Sequence, residues 1–295
     1  MWRPVRPRVT YRDRVTSIDI QRWTAFSTDP AGGNPAGVVL DADGLTDAAM
    51  LGIAADLGYA ETAFVTAAGD GAGQAIRYFS PHAEVPFCGH ATVAAAAAIA
   101  EVAGDGRISF ETPVGVVDIV TESEAGDRRV SFTSVSPETA PLPADALADV
   151  LAAIGLSDAD LHPAFPPAQA FGGNWHPLIV LADRERFDAF TIDPARARAV
   201  LDARGWPATM IVLWPEAPDT WHARNVFPVG PIIEDPATGA AAAASGGYLR
   251  ATGAVRAPAR VVILQGSHVG RPSELTVDIP AEGGIVVSGS AVRIG

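Results

Sequence analysis

Residues 84–98 read EVPFCGHATVAAAAA, and residues 234–245 read EDPATGAAAAAS. Both open Glu-x-Pro-x-x-Gly and run on into a stretch made almost wholly of alanine, and their starting points, 84 and 234, stand about half of the 295-residue chain apart. A unit repeated at so long a period is not a solenoid. It predicts two homologous domains facing each other across a pseudo-two-fold axis. Upstream of the two copies, Arg77-Tyr78-Phe79-Ser80-Pro81 and Arg224-Asn225-Val226-Phe227-Pro228 echo each other more loosely.

Helices built on the alanines of 91–100 and 240–244 present small, uniformly apolar surfaces, so they belong at the centre of the fold with other elements wrapped closely around them. Their N-termini carry unsatisfied N–H groups and the positive end of the helix dipole. Two such ends turned into one cleft form a site for an anion, with proline setting the approach and glycine letting a ligand reach the backbone. A carboxylate held there, or the enolate developing on its α-carbon, is stabilised by fixed amides.

Outside the repeat, short strand-like runs at 37–40, 62–66, 75–79, 107–110, 114–121, 129–132, 177–181, 210–213, 261–264, 275–279 and 285–294 alternate with helical segments at 46–57, 89–102, 144–154, 194–203 and 239–251. This predicts a mixed α/β chain rich in strands, not a regular βαβ series. Hydrophobic residues make up 48%, enough for a sizeable core, and the net charge of −13 disfavours nucleic-acid or anionic-membrane binding. No run approaches the ~18 apolar residues of a membrane span, and a cytoplasmic protein is expected. Residues 1–16 are basic and are read as a flexible tail or a start-site extension.

Two absences narrow the chemistry. Every basic residue is arginine, so there is no Walker A lysine, no Schiff base to pyridoxal phosphate and no lysine base. The one cysteine, Cys88, excludes an intrachain disulfide and a Cys-pair zinc site, and the six histidines show no HExxH spacing. No metal and no cofactor are expected.

Taken in order, GGNPAGVVLDADGL (32–45), GYAETAFV (58–65), RYFSPHAEVPFCGHAT (77–92), EDPATGAA (234–241) and QGSHVGRPSEL (265–275) resemble the PhzF family of phenazine-biosynthesis isomerase-like proteins, which is related in structure to diaminopimelate epimerase. The likeness runs from about residue 18 to the C-terminus. It implies two pseudo-symmetric α/β domains, each a curved, mostly antiparallel sheet around a central helix, with the active site between them. The divisions expected are 17–135 together with about 284–295, and 136–283. A homodimer is implied as well.

The resemblance makes Glu61 the general acid/base, His90 a substrate-orienting or proton-relay group, and Asp235 the aspartate that binds or orients the substrate. Gly89 and Gly239 would supply backbone donors to the substrate carboxylate. Ala240 stands where the family commonly has serine, which puts turnover of dihydrohydroxyanthranilate in question. Asn34 and Pro35 are expected to shape a loop near the cleft, and Gln265 to bring a polar group to its edge. Arg271 is read either as attracting a carboxylate or as making a structural salt bridge. Epimerase relatives work with two thiols; here Thr238 is the repeat-equivalent of Cys88, so Cys88 is read as buried and structural.

The leading expectation is a cofactor-independent isomerase that shifts a proton within a small carboxylated substrate. A racemase or epimerase of an amino-acid-like substrate and a non-catalytic binding protein of the same fold are the alternatives.

Overall fold

The computed structural model describes residues 18–69, 73–124, 126–229 and 232–295; residues 1–16, read above as a tail, lie outside the described residues. The first half contains β1 (Gln21–Ala25), β2 (Asn34–Val39), α1 (Asp47–Leu57), β3 (Glu61–Ala67), β4 (Gln74–Phe79), β5 (Glu84–Val85), α2 (Gly89–Ala103), β6 (Gly106–Thr112), β7 (Gly115–Glu124) and β8 (Asp127–Thr133). The second half contains β9 (Glu138–Pro141), α3 (Ala144–Ala153), β10 (Ala168–Phe171), β11 (Trp175–Val180), α4 (Arg184–Ala189), α5 (Pro194–Arg204), β12 (Met210–Ala217), β13 (Thr220–Val229), β14 (Ile232–Asp235), α6 (Gly239–Ala251), β15 (Ala259–Gln265), β16 (Ser273–Ile279) and β17 (Val286–Arg293).

The two halves repeat one pairing pattern. From β1 through β2, β3, β4, β6 and β7 to β8 the neighbours are antiparallel, parallel, antiparallel, parallel, antiparallel and antiparallel. From β10 through β11, β12, β13, β15 and β16 to β17 the same order recurs. β5 hangs on β4 and β14 on β13 as matching hairpin arms. β17 lies antiparallel to β8 and also to β1, so it closes the first-half sheet into a circuit while remaining joined to β16.

Each sheet curls around one alanine helix. Val93 to Ala98 of α2 and Ala243 to Leu249 of α6 are buried on every side, which is why neither helix needs a polar face. Methyl-sized side chains let strand residues such as Trp23, Tyr78, Leu178 and Ile263 pack directly against the helix surface. The outer helices differ: α3 and α5 cover the other face of the second sheet over a separate core that includes Phe187, Leu201 and Trp206.

The repeated Glu and Arg residues have a structural task. Glu84 receives a two-pronged pair of hydrogen bonds from Arg77 on β4, and Glu234 receives the same pair from Arg224 on β13. Each bond set ties the strand entering the Pro-x-x-Gly turn to the strand before it, and so fixes where the helix begins.

Candidate active site

α1, α4 and α5 start on Thr46, Asp183 and Asp193, whose side chains accept from first-turn N–H groups. α3 follows Pro143 and begins in solvent. α2 and α6 begin behind Cys88 and Thr238, extended residues whose side chains do not cap the helix. Apart from Ala91 N–H, which meets the Cys88 sulfur, the first-turn N–H groups have no side-chain cap, and both helices line one cleft of about 250 Å3 through Gly89, His90, Gly239 and Ala240. The ends abut: a Cβ built on Gly89 would lie 4.0 Å from Gly239 Cα.

Glu61, the first residue of β3, enters this cleft from the side. Its Oε2 lies 3.4 Å from His90 Nε2 and 3.5 Å from Cys88 Sγ, and Cys88 Sγ lies 3.3 Å from His90 Nδ1. From the other half, Asp235 at the end of β14 faces Asn34, whose Nδ2 donates to Asp235 Oδ1 at 2.8 Å and to the Ala237 carbonyl at 3.0 Å. Asn34 Nδ2 also stands 3.1 Å from His90 Nδ1. The His90 ring is thus bracketed, with Nδ1 beside Asn34 and Cys88 and Nε2 beside Glu61.

Burial sets the charges. It pushes Glu61 up to about 7, with the Asp235 carboxylate adding to the rise and the Cys88 thiol opposing it. It pushes Asp235 up to about 6 against the hydrogen bonds from Thr238 and Asn34. His90 is held down to about 3 by burial, so the imidazole is neutral. The Cys88 thiol is raised by burial and by Glu61, and stays protonated. Glu61 and Asp235 are thus both brought towards neutrality.

Glu61, Cys88 and His90 also bring an oxygen, a sulfur and a nitrogen within 4.8 Å of one another, a donor set that would suit a metal ion. Spacing along the chain had pointed to no metal site, because Glu61 comes from a different element than Cys88 and His90. The thiol is buried, as expected, yet it touches both residues with which it shares the cleft.

Other expectations shift position. Asn34 and Pro35 are not in a loop: they open β2, paired with Ala25 and Thr24 of β1. Gln265 stands behind the cleft wall, donating to the Asp235 carbonyl and to Thr238 Oγ1 while its own oxygen accepts from Thr238 N. It holds the turn that carries Asp235. Arg271 makes no salt bridge among the described residues; it donates to the carbonyls of Gly32 and Gly33 and cinches the loop before Asn34.

Several cleft residues went unread in the sequence, three of them polar. Asn174, His176 and Thr209 form the second-half wall. A signal was present: Gly32-Gly33-Asn34 recurs as Gly172-Gly173-Asn174, the second copy leading into β11 as the first leads into β2. Gly172 is required there, since a Cβ would lie 2.5 Å from Ala244 N and 2.7 Å from the Ala240 carbonyl of α6.

The fold has known counterparts. The family model described as phenazine biosynthesis-like protein, PhzC-PhzF, matches residues 23–294. The chain is 31% identical over 278 residues, 92% of its own length and 95% of the relative's, to a trans-2,3-dihydro-3-hydroxyanthranilate isomerase of Pseudomonas fluorescens. The crystal structure of a Bacillus anthracis phenazine biosynthesis protein of the PhzF family superposes with a TM-score of 0.82 at 26% identity, covering 94% of this chain and 97% of the other. A hydroxyproline epimerase from Agrobacterium vitis shares the fold at a TM-score of 0.61 and 15% identity, covering 94% and 90%.

Proposed function

Because the chain belongs to the phenazine biosynthesis-like (PhzC-PhzF) protein family, we propose that it is a cofactor-independent isomerase which moves a proton within a small carboxylated substrate. The observation that carries this reading is the meeting of an up-shifted Glu61 with two uncapped helix N-termini in one cleft.

The substrate carboxylate lies against the N–H groups that begin α2 and α6. Glu61, ionised above about pH 7, removes a proton from the carbon beside it. Charge then grows on the carboxylate oxygens, where the fixed N–H groups are already oriented to receive it. Neutral His90, its Nε2 3.4 Å from Glu61 Oε2, borders the carboxylate and limits where it can swing. Glu61 returns the proton to a different carbon. Every group in the scheme belongs to the chain itself. The name of the Pseudomonas fluorescens relative, an isomerase of a cyclic amino-hydroxy acid, supports the substrate class.

The racemase reading draws on one observation, the rise of Asp235 to about 6, which makes it a second group able to exchange a proton near neutrality. Reaction in D2O separates the two readings: deuterium at a new carbon with loss of the hydrogen from the original one supports the isomerase, and deuterium at the original carbon with its configuration inverted supports the racemase. Glu61→Gln abolishes exchange in either case, and unchanged exchange across a panel of small carboxylic acids would sink both. The reading extends to a cytoplasmic homodimer, checked by light scattering and fractionation. No described helix is long and apolar enough to cross a membrane.

A further inference from the structure

The mechanism above leaves one buried polar group of the cleft unused. His176 is fully buried and lines the same cleft as Glu61 and Asp235. Its Nδ1 lies 2.9 Å from the Thr209 carbonyl, which can only accept, so Nδ1 carries the ring proton. Nε2, on the opposite side of the ring, is then a bare lone pair, and it has no hydrogen-bond partner among the described residues. Burial holds the ring neutral, down to about 4. A buried acceptor without a donor is costly and is not retained for packing alone.

The pseudo-symmetry says what the position serves. His176 comes two residues after Asn174, as Ala36 comes two residues after Asn34; Ala240 follows Gly239 on α6, as His90 follows Gly89 on α2. Each half therefore sets one imidazole beside its helix N-terminus, from the helix in the first half and from the strand in the second. His90 has partners in Asn34, Cys88 and Glu61, whereas Nε2 of His176 has none.

We propose that His176 is a specificity-determining residue, whose Nε2 accepts a hydrogen bond from an N–H or O–H group that the substrate carries beside its carboxylate. The cleft then prefers amino- and hydroxy-carboxylic acids to acids of the same shape that lack a donor. This rests on the carboxylate-binding reading of the two helix N-termini.

Calorimetric titration with benzoate, 2-aminobenzoate and 2-methylbenzoate tests it, since the last two match in shape and differ in the donor. The wild-type chain binds 2-aminobenzoate roughly tenfold more tightly than 2-methylbenzoate. His176→Leu brings the two to parity with benzoate binding unchanged within about twofold, and His176→Gln, which keeps an acceptor, restores much of the preference. A wild-type chain that binds benzoate but does not distinguish the other two overturns the proposal and leaves the carboxylate reading standing. A His176→Leu chain that keeps the preference, or loses all three acids alike, also overturns it. Failure of all three acids to bind the wild-type chain overturns the carboxylate reading and the proposal with it.

Discussion

Asn34 Nδ2 donates to Asp235 Oδ1 at 2.8 Å across a separation of 201 residues, joining the start of β2 in one half to the end of β14 in the other. The bond opposes the burial that drives the Asp235 pKa upward. Asn34→Leu removes it, so Asp235 rises further and the Glu61–His90 pair loses its alignment with the second half. A loss of roughly 10- to 100-fold in turnover is expected, the scale of one hydrogen bond to a charged group. A pH–rate profile with isotope-edited titration of Asp235 checks both effects, and an Asp235 that titrates as before would remove the bond from the mechanism.

Glu61 sets activity against stability. Its folded pKa of about 7 exceeds the ordinary value of 4.5, so the folded chain holds that proton more tightly than the unfolded chain does. The associated stability is whole below about pH 4.5 and is lost as pH climbs through about 7. Glu61→Gln cannot ionise, and it gains roughly 1–3 kcal/mol over the wild type at pH 8 with no such gain at pH 4. Activity follows the opposite course, rising through pH 7 in the wild type and absent in the variant. Urea unfolding at the two pH values decides the matter, and equal stability differences at both would mean that Glu61 is not up-shifted.

What was legible in the sequence was whatever depended on local composition. The alanine runs of α2 and α6 announce themselves, and the Pro-x-x-Gly turns before them mark where they begin. β13 was not legible, because Arg224 and Asn225 look like surface residues until Glu234, ten residues further on, is seen to receive the Arg224 side chain. Asn34-Pro35 has loop chemistry and lies in a strand because Ala25 and Thr24 pair with it. The first-half site was read through family motifs. Its second-half wall was not, since only the Gly-Gly-Asn echo at Asn174 points to it, while His176 and Thr209 are brought to the cleft by the fold.

The two Arg–Glu ties are alike in geometry and unlike in energy. Arg77 and Glu84 are 31% and 37% exposed, while Arg224 and Glu234 are 7% and 10% exposed. Arg224 also donates to the carbonyls of Phe187 and Phe190 and stacks 3.6 Å over the Phe190 ring, so its loss leaves a buried carboxylate and the end of α4 without a donor. Arg224→Met should cost about 3–5 kcal/mol, and Arg77→Met about 1 kcal/mol or less. Equal costs in chemical denaturation would show that burial does not separate the repeats.

The two glycines of the repeated motif also part company. A methyl on Gly239 would stand 2.8 Å from Phe132 Cζ and 3.2 Å from its Cε1, inside a packed core, and Gly239→Ala should cost about 1–3 kcal/mol. A methyl on Gly89 meets nothing closer than 4.0 Å, and its backbone needs no positive φ, so Gly89→Ala leaves stability unchanged or slightly raised. That methyl does, however, enter the space between the two helix N-termini where the carboxylate is to lie. Carboxylate affinity and turnover should then fall at least about tenfold in a chain that melts no lower than the wild type. This is the cleanest separation of site from scaffold that the structure offers, because the neighbouring backbone has room for the change and only the ligand does not. A Gly89→Ala chain with full activity would mean that the substrate carboxylate lies elsewhere.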